Sequence, residues 1–164
     1  MSPGPSPGAS RYRGYRSFQY LEPHRDYRVF ELAAELDRVA SPAVPTSEEE
    51  EARVQRLLAQ GPIISLHDHP VVMPECIDEL LDYRRHGRDW TGYLGLSRSG
   101  LHAVIDNLAD GEGLITSRNG WKWDETLADL GMRLCDLEHQ DYVRVVRRFA
   151  DIEAARAEGQ LALI

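Results

Sequence analysis

The sequence predicts an α/β domain built on a parallel sheet and preceded by an irregular N-terminal arm. Three observations carry this. Short apolar runs at 63–66 and 114–117, and a third beginning at Leu161, read as buried strands. Segments with helical apolar spacing separate them, so the strands arrive one by one and not as hairpins. Strands that are apolar on both faces belong to a sheet covered by helices on both sides.

Along the chain, residues 1–10 alternate Ser, Pro, Gly and Ala and predict a disordered tail. Residues 11–46 form the arm, rich in Arg and aromatics at first and closed by Pro42 and Pro45. The domain proper is expected over 47–164. Ser47, with Glu50 three residues on, is a capping box that opens a helix over 48–60; Gly61-Pro62 ends it. The strand at 63–66 stops at His67-Asp68-His69-Pro70. A helix is expected over 75–85, with Ile77, Leu80 and Leu81 inward. A loop follows over 86–96. Ser97 or Ser99 then caps a helix whose inner stripe is Leu101, Val104, Ile105 and Leu108. After the strand at 114–117 comes a long helix over 124–142, with the stripe Trp123, Leu127, Leu130, Leu134 and Leu137. A brief extended stretch at 143–146, a short helix from Ala150 to Gly159 and the strand from Leu161 complete the order. Nothing in the sequence covers that last strand, which predicts the N-terminal portion of a longer protein.

Composition narrows the function. The net charge is −8, which disfavours nucleic acid or an anionic membrane as the main partner. No apolar run is long enough to span a membrane. The two cysteines, Cys76 and Cys135, make no disulfide framework, so a cytoplasmic protein is expected. Arg11, Tyr12, Arg13, Tyr15 and Arg16 interleave cations with rings, a pattern that can stack on single-stranded nucleic acid. The acidic total favours instead an arm packed on its own domain, or on a neighbouring subunit of a homo-oligomer.

The chemistry concentrates at His67-Asp68-His69. Side chains at i and i+2 of an extended chain share a face, so His67 and His69 project together from the C-terminal end of a strand. Two imidazoles so placed can converge on one divalent metal. The same spacing also occurs as a metal-free, hydrogen-bonded turn. Asp68 points the other way and is expected to hold the loop or an imidazole tautomer. Arg118, Asn119 and Trp121 follow the second expected strand and are candidates to line a substrate pocket. His24, His86, His102 and His139 read as surface or satisfied histidines, and Cys76 as a small buried residue.

The segment ending in His67-Asp68-His69 resembles the first-strand metal motif of the amidohydrolase superfamily of TIM barrels. Asp151-Ile152, Ala155 and Gly159-Gln160, leading into Leu161-Ala162-Leu163-Ile164, are similar to a helix–strand stretch of the membrane (renal-type) dipeptidase family. The resemblance covers about residues 57–164. It implies the N-terminal part of a (β/α)8 barrel and a zinc-dependent hydrolase, usually with two ions, that cleaves a dipeptide or similar amide by a metal-activated water. His67 matches the family's first metal histidine. Where the family has aspartate in H-x-D, this chain has His69. The family's bridging glutamate and its catalytic residues would fall beyond Ile164. Two alternatives stand beside this reading. One is another amidohydrolase (amidase, lactonase or deaminase), which the H-x-H form favours. The other is a non-catalytic truncated fragment acting as an interaction module through its Arg/Tyr arm.

Overall fold

A computed structural model describes residues 10–39, 44–108 and 123–164. The expected strand at 114–117, the tail up to residue 9, and Arg118, Asn119 and Trp121 lie outside these residues.

The first helix, α1 (Glu48–Gln60), begins at the expected capping box: the Ser47 hydroxyl accepts from the Glu50 N–H, and the Glu50 carboxylate accepts from the Ser47 N–H. Its C-terminal carbonyls are capped from afar, the Arg156 guanidinium donating to Leu58 and Ala59 at 2.9 and 2.8 Å. No α1 side chain is buried, so this helix lies over the surface.

Strand β1 (Ile64–Ser65) follows Gly61-Pro62. A turn of 3-10 helix (Ile77–Glu79) leads into α2 (Leu80–His86), and then α3 (Tyr93–Arg98). The inward residue of α2 is Tyr83; Ile77 and Leu81, expected inward, are 65% and 54% exposed. Tyr83 wins the core because its ring packs edge-on against Phe30 while its hydroxyl donates to the Val72 carbonyl at 3.0 Å.

The largest correction concerns 97–108. The spacing predicts a helix there, but the chain forms α3 earlier, within the expected loop, and then strand β2 (Ala103–Val104). Gly100 ends α3's surroundings with a φ of +74, a left-handed conformation suited to glycine. Ala103 and Val104 are then both fully buried, one on each face of the sheet, which a helix cannot arrange.

Helix α4 (Trp123–Glu138), strand β3 (Val143–Val145), helix α5 (Phe149–Ala157) and strand β4 (Leu161–Leu163) complete the order. All strand pairs are parallel, in the order β1-β2-β4-β3. The α/β class with a parallel sheet is therefore the observed one. Val104, Val143, Leu161 and Leu163 pack on one face with Tyr93, Leu96, Leu137 and Tyr142. Ala103 and Ala162 turn to the other face and meet Ile152 and Ala155 of α5. Alanines on both sides of that seam let α5 approach the sheet closely. Each buried Leu or Val of the first face contributes about 1.5–3 kcal/mol.

Helix α4 also corrects the sequence reading. It ends at Glu138, and Leu127 and Leu134 of the expected inner stripe are half exposed. The face that α4 buries carries Arg133, Asp136 and Leu137. The two charges are tolerated inside because each has partners, as described next.

Candidate functional site

The register of the sheet builds the site. Ser65 of β1 stands beside Val104 of β2, and beyond this pair the chain bends at 66–67, so that His67 and Asp106 both follow the strand ends on the same side of the sheet. Two bonds tie the segments past the strand ends, Ile105 N–H donating to Ser65 O and Asp68 N–H to Ile105 O, both at 3.0 Å, with one extra residue on the β1 side. His67, His69 and Asp106 thus gather at the C-terminal edge of the parallel sheet, the edge at which α/β folds bind ligands.

The structure brings His67 and His69 together as expected. Their Nε2 atoms stand 3.0 Å apart, with the ring planes at 90°. Two donors held tetrahedrally about 2.0–2.1 Å from one zinc are about 3.3 Å apart, so the pair fits as two ligands of one ion after a shift of about 0.3 Å. At 3.0 Å one imidazole can also donate to the other. Both rings are solvent-exposed. Among the described residues, no set of three or more His, Cys, Asp or Glu side chains stands close enough to hold a metal.

Asp68, expected as the supporting carboxylate, turns to a cavity of about 310 Å³ shared with Glu35, Arg38, Val72 and Leu96, a cavity that neither histidine lines. The acid beside the pair is Asp106. Its Oδ1 lies 3.6 Å from Nδ1 of His69, just beyond hydrogen-bond length. Its Oδ2 accepts from Arg133 Nη2 at 2.7 Å, and both side chains of this ion pair are buried. Sequence reasoning missed Asp106 because it lay in the stretch read as a helix, and Arg133 because a charge on a helix is ordinarily assigned to solvent.

A second buried carboxylate, Asp136, holds the N-terminal segment in place. It accepts from the Tyr15 hydroxyl and the Phe18 N–H at 2.7 Å, and from the Ser17 and Tyr93 hydroxyls at 2.8 and 2.9 Å. Burial foremost, and the Asp136 charge after it, push the phenols of Tyr15 and Tyr93 well above their ordinary value of 10, so both remain donors. The aromatic rings of this segment are spent on the fold: Tyr12 packs edge-on to Tyr142, Tyr15 to Tyr93, and Tyr20 stacks on His139 at 3.6 Å. His102 is also satisfied, its Nδ1 accepting from the Ile63 N–H at 3.0 Å. Cys76, expected to be buried, is exposed, as is Cys135.

No helix among the described residues is long and apolar enough to cross a membrane. The chain matches no family model, and comparison with curated proteins and with solved structures gives no match.

Proposed function

We propose that this chain carries the first metal-binding strand of an α/β-barrel hydrolase of the dipeptidase type, with His67 and His69 as ligands to a shared divalent ion, zinc by the chemistry of the donors. The observation that carries the proposal is the convergence of the two Nε2 atoms, 3.0 Å apart, at the C-terminal edge of a parallel sheet. The strand order β1-β2-β4-β3 differs from the sequential order of a barrel, since β3 pairs with the edge of β4 that a following barrel strand would take.

A bound ion of this kind supplies a nucleophilic water at neutral pH and polarises the carbonyl of a dipeptide or related amide. The residues of the chain present the ion's binding face. His67 and His69 would offer one ring nitrogen each, 3.0 Å apart, just past the end of β1. Two imidazoles are fewer than the three protein ligands usual at a catalytic zinc. The resemblance assigns the remaining ligands, and the second ion, to residues past 164.

His69 in the place of the family's aspartate supports a second reading within the same chemistry: an amidase, lactonase or deaminase. An interaction module using the Arg/Tyr segment has less support, since Tyr12, Tyr15 and Tyr20 already pack on the fold. The test is metal analysis of the complete protein and of its His67→Ala variant, with a panel of dipeptides, amides and lactones offered to both. Retained zinc that His67→Ala removes supports the proposal. Zinc retained equally by the variant, or none retained by either, refutes it. Turnover of dipeptides selects the first reading over the second.

A further inference from the structure

We propose that Asp106 and Arg133 act together as a positioning pair for His69, holding its imidazole in the Nδ1–H tautomer with the Nε2 lone pair directed at the ligand position. The role in metal binding rests on the reading above; the tautomer claim does not.

Three features of the structure carry it. Asp106 follows strand β2 at the end of the sheet where the two histidines lie, and its Oδ1 stands 3.6 Å from Nδ1 of His69. The carboxylate is wholly buried, which obliges it to be compensated. Arg133 does this from α4: its Nη2 donates to Oδ2 at 2.7 Å, which fixes the carboxylate plane while Oδ1 faces the imidazole. A neutral imidazole carries one proton on two nitrogens, and a carboxylate beside Nδ1 draws the proton there. The nitrogen left with a lone pair is Nε2, the atom that stands 3.0 Å from Nε2 of His67. Carboxylates placed in this way behind metal-binding histidines fix ring orientation and raise ligand basicity. A mere clamp between α4 and the sheet would explain the Asp106–Arg133 bond but not the placement of Oδ1 toward the ring.

Removing Asp106 alone would leave Arg133 buried without its partner and endanger folding. The test variant therefore replaces both with apolar residues of similar volume, Asp106→Leu with Arg133→Met. Long-range proton–nitrogen NMR of the metal-free chain, labelled at histidine and held near pH 8, reads the His69 tautomer; His69→Gln assigns the signals. The expected result is Nδ1–H in the parent chain and a shift toward Nε2–H in the double variant. Zinc affinity should fall about 10–100-fold in the same variant. A parent His69 in the Nε2–H form, or a tautomer unchanged in the folded double variant, overturns the proposal. If the tautomer shifts while the parent chain binds no zinc, the positioning role stands and the metal reading fails. Should the double variant not fold, the parent's own tautomer still decides.

Discussion

Replacing Asp136 with alanine should cost about 3 kcal/mol of stability and free the N-terminal segment. The carboxylate is fully buried and accepts four hydrogen bonds at 2.7–2.9 Å. Each buried donor left without a partner costs about 1–3 kcal/mol. Ser17 is spared part of this, because its hydroxyl also lies 3.3 Å from the Thr91 carbonyl. Tyr15 has only the more distant Asp136 carbonyl, at 3.5 Å, to turn to, and three donors (the Phe18 N–H, Tyr15 and Tyr93) at the lower end of the range give about 3 kcal/mol. Relief of the buried charge's desolvation works against the loss, which is why the lower end applies. With a urea slope of about 2 kcal/mol/M, the unfolding midpoint should drop by about 1.5 M. Asp136→Asn keeps the shape and one acceptor oxygen, and should lose less than half as much. Because Tyr15, Ser17 and Phe18 are anchored through this one group, trypsin should cut Asp136→Ala faster at Arg11, Arg13 and Arg16. A loss below about 1 kcal/mol, with these sites as protected as before, would refute the reasoning.

Three further outcomes are expected. Burial first, then the nearby Arg156, hold His102 below its ordinary value of 6.5. The folded state thus prefers the neutral ring, and the unfolded state takes up the proton first as pH falls. Stability is unaffected by this group above 6.5 and declines below it. Comparing urea midpoints at pH 8 and 5.5, the decline should be smaller in His102→Asn; an identical decline would contradict the assignment. Gly100→Ala meets no atom within 4 Å but must hold a φ of +74, so denaturation should show a loss of about 1 kcal/mol with the fold intact. Ala155→Leu should overpack the alanine seam against Ala103 and Ala162 and destabilise by about 1–3 kcal/mol, read by thermal melting.

Much of the fold was legible in local chemistry. The capping box at Ser47 and Glu50, the strand starting at Leu161 and the Gly159 stop lie where the sequence reading puts them, whereas the strand expected over 63–66 is only Ile64–Ser65, with Leu66 76% exposed. The meeting of His67 and His69 was legible from their two-residue spacing, although the chain leaves the strand at Ser65 and bends at 66–67. Strand β2 was not, because Leu101, Val104, Ile105 and Leu108 satisfy the helical period by coincidence, and only Ala103, silent in a pattern of large apolar residues, shows the alternation. The face of α4 was only partly legible, Leu137 being buried as expected and Leu130 half-buried, for a different reason. Leucine spacing also assigns its interior to Leu127 and Leu134, while the real interior holds Arg133 and Asp136 beside Leu137, with partners at Asp106 and at residues 15–18, far away in sequence. Long-range polar satisfaction of this kind leaves no local periodicity to read.

The central claim is that His67 and His69 hold one metal ion between them. The most direct measurement is a cobalt titration of the metal-free chain followed by visible absorption, since the d–d bands report both binding and coordination. The account predicts a saturable band in the parent chain that is lost in His67→Ala and in His69→Ala while both variants stay folded. No saturable band in the parent, or the same band in either variant, would contradict it.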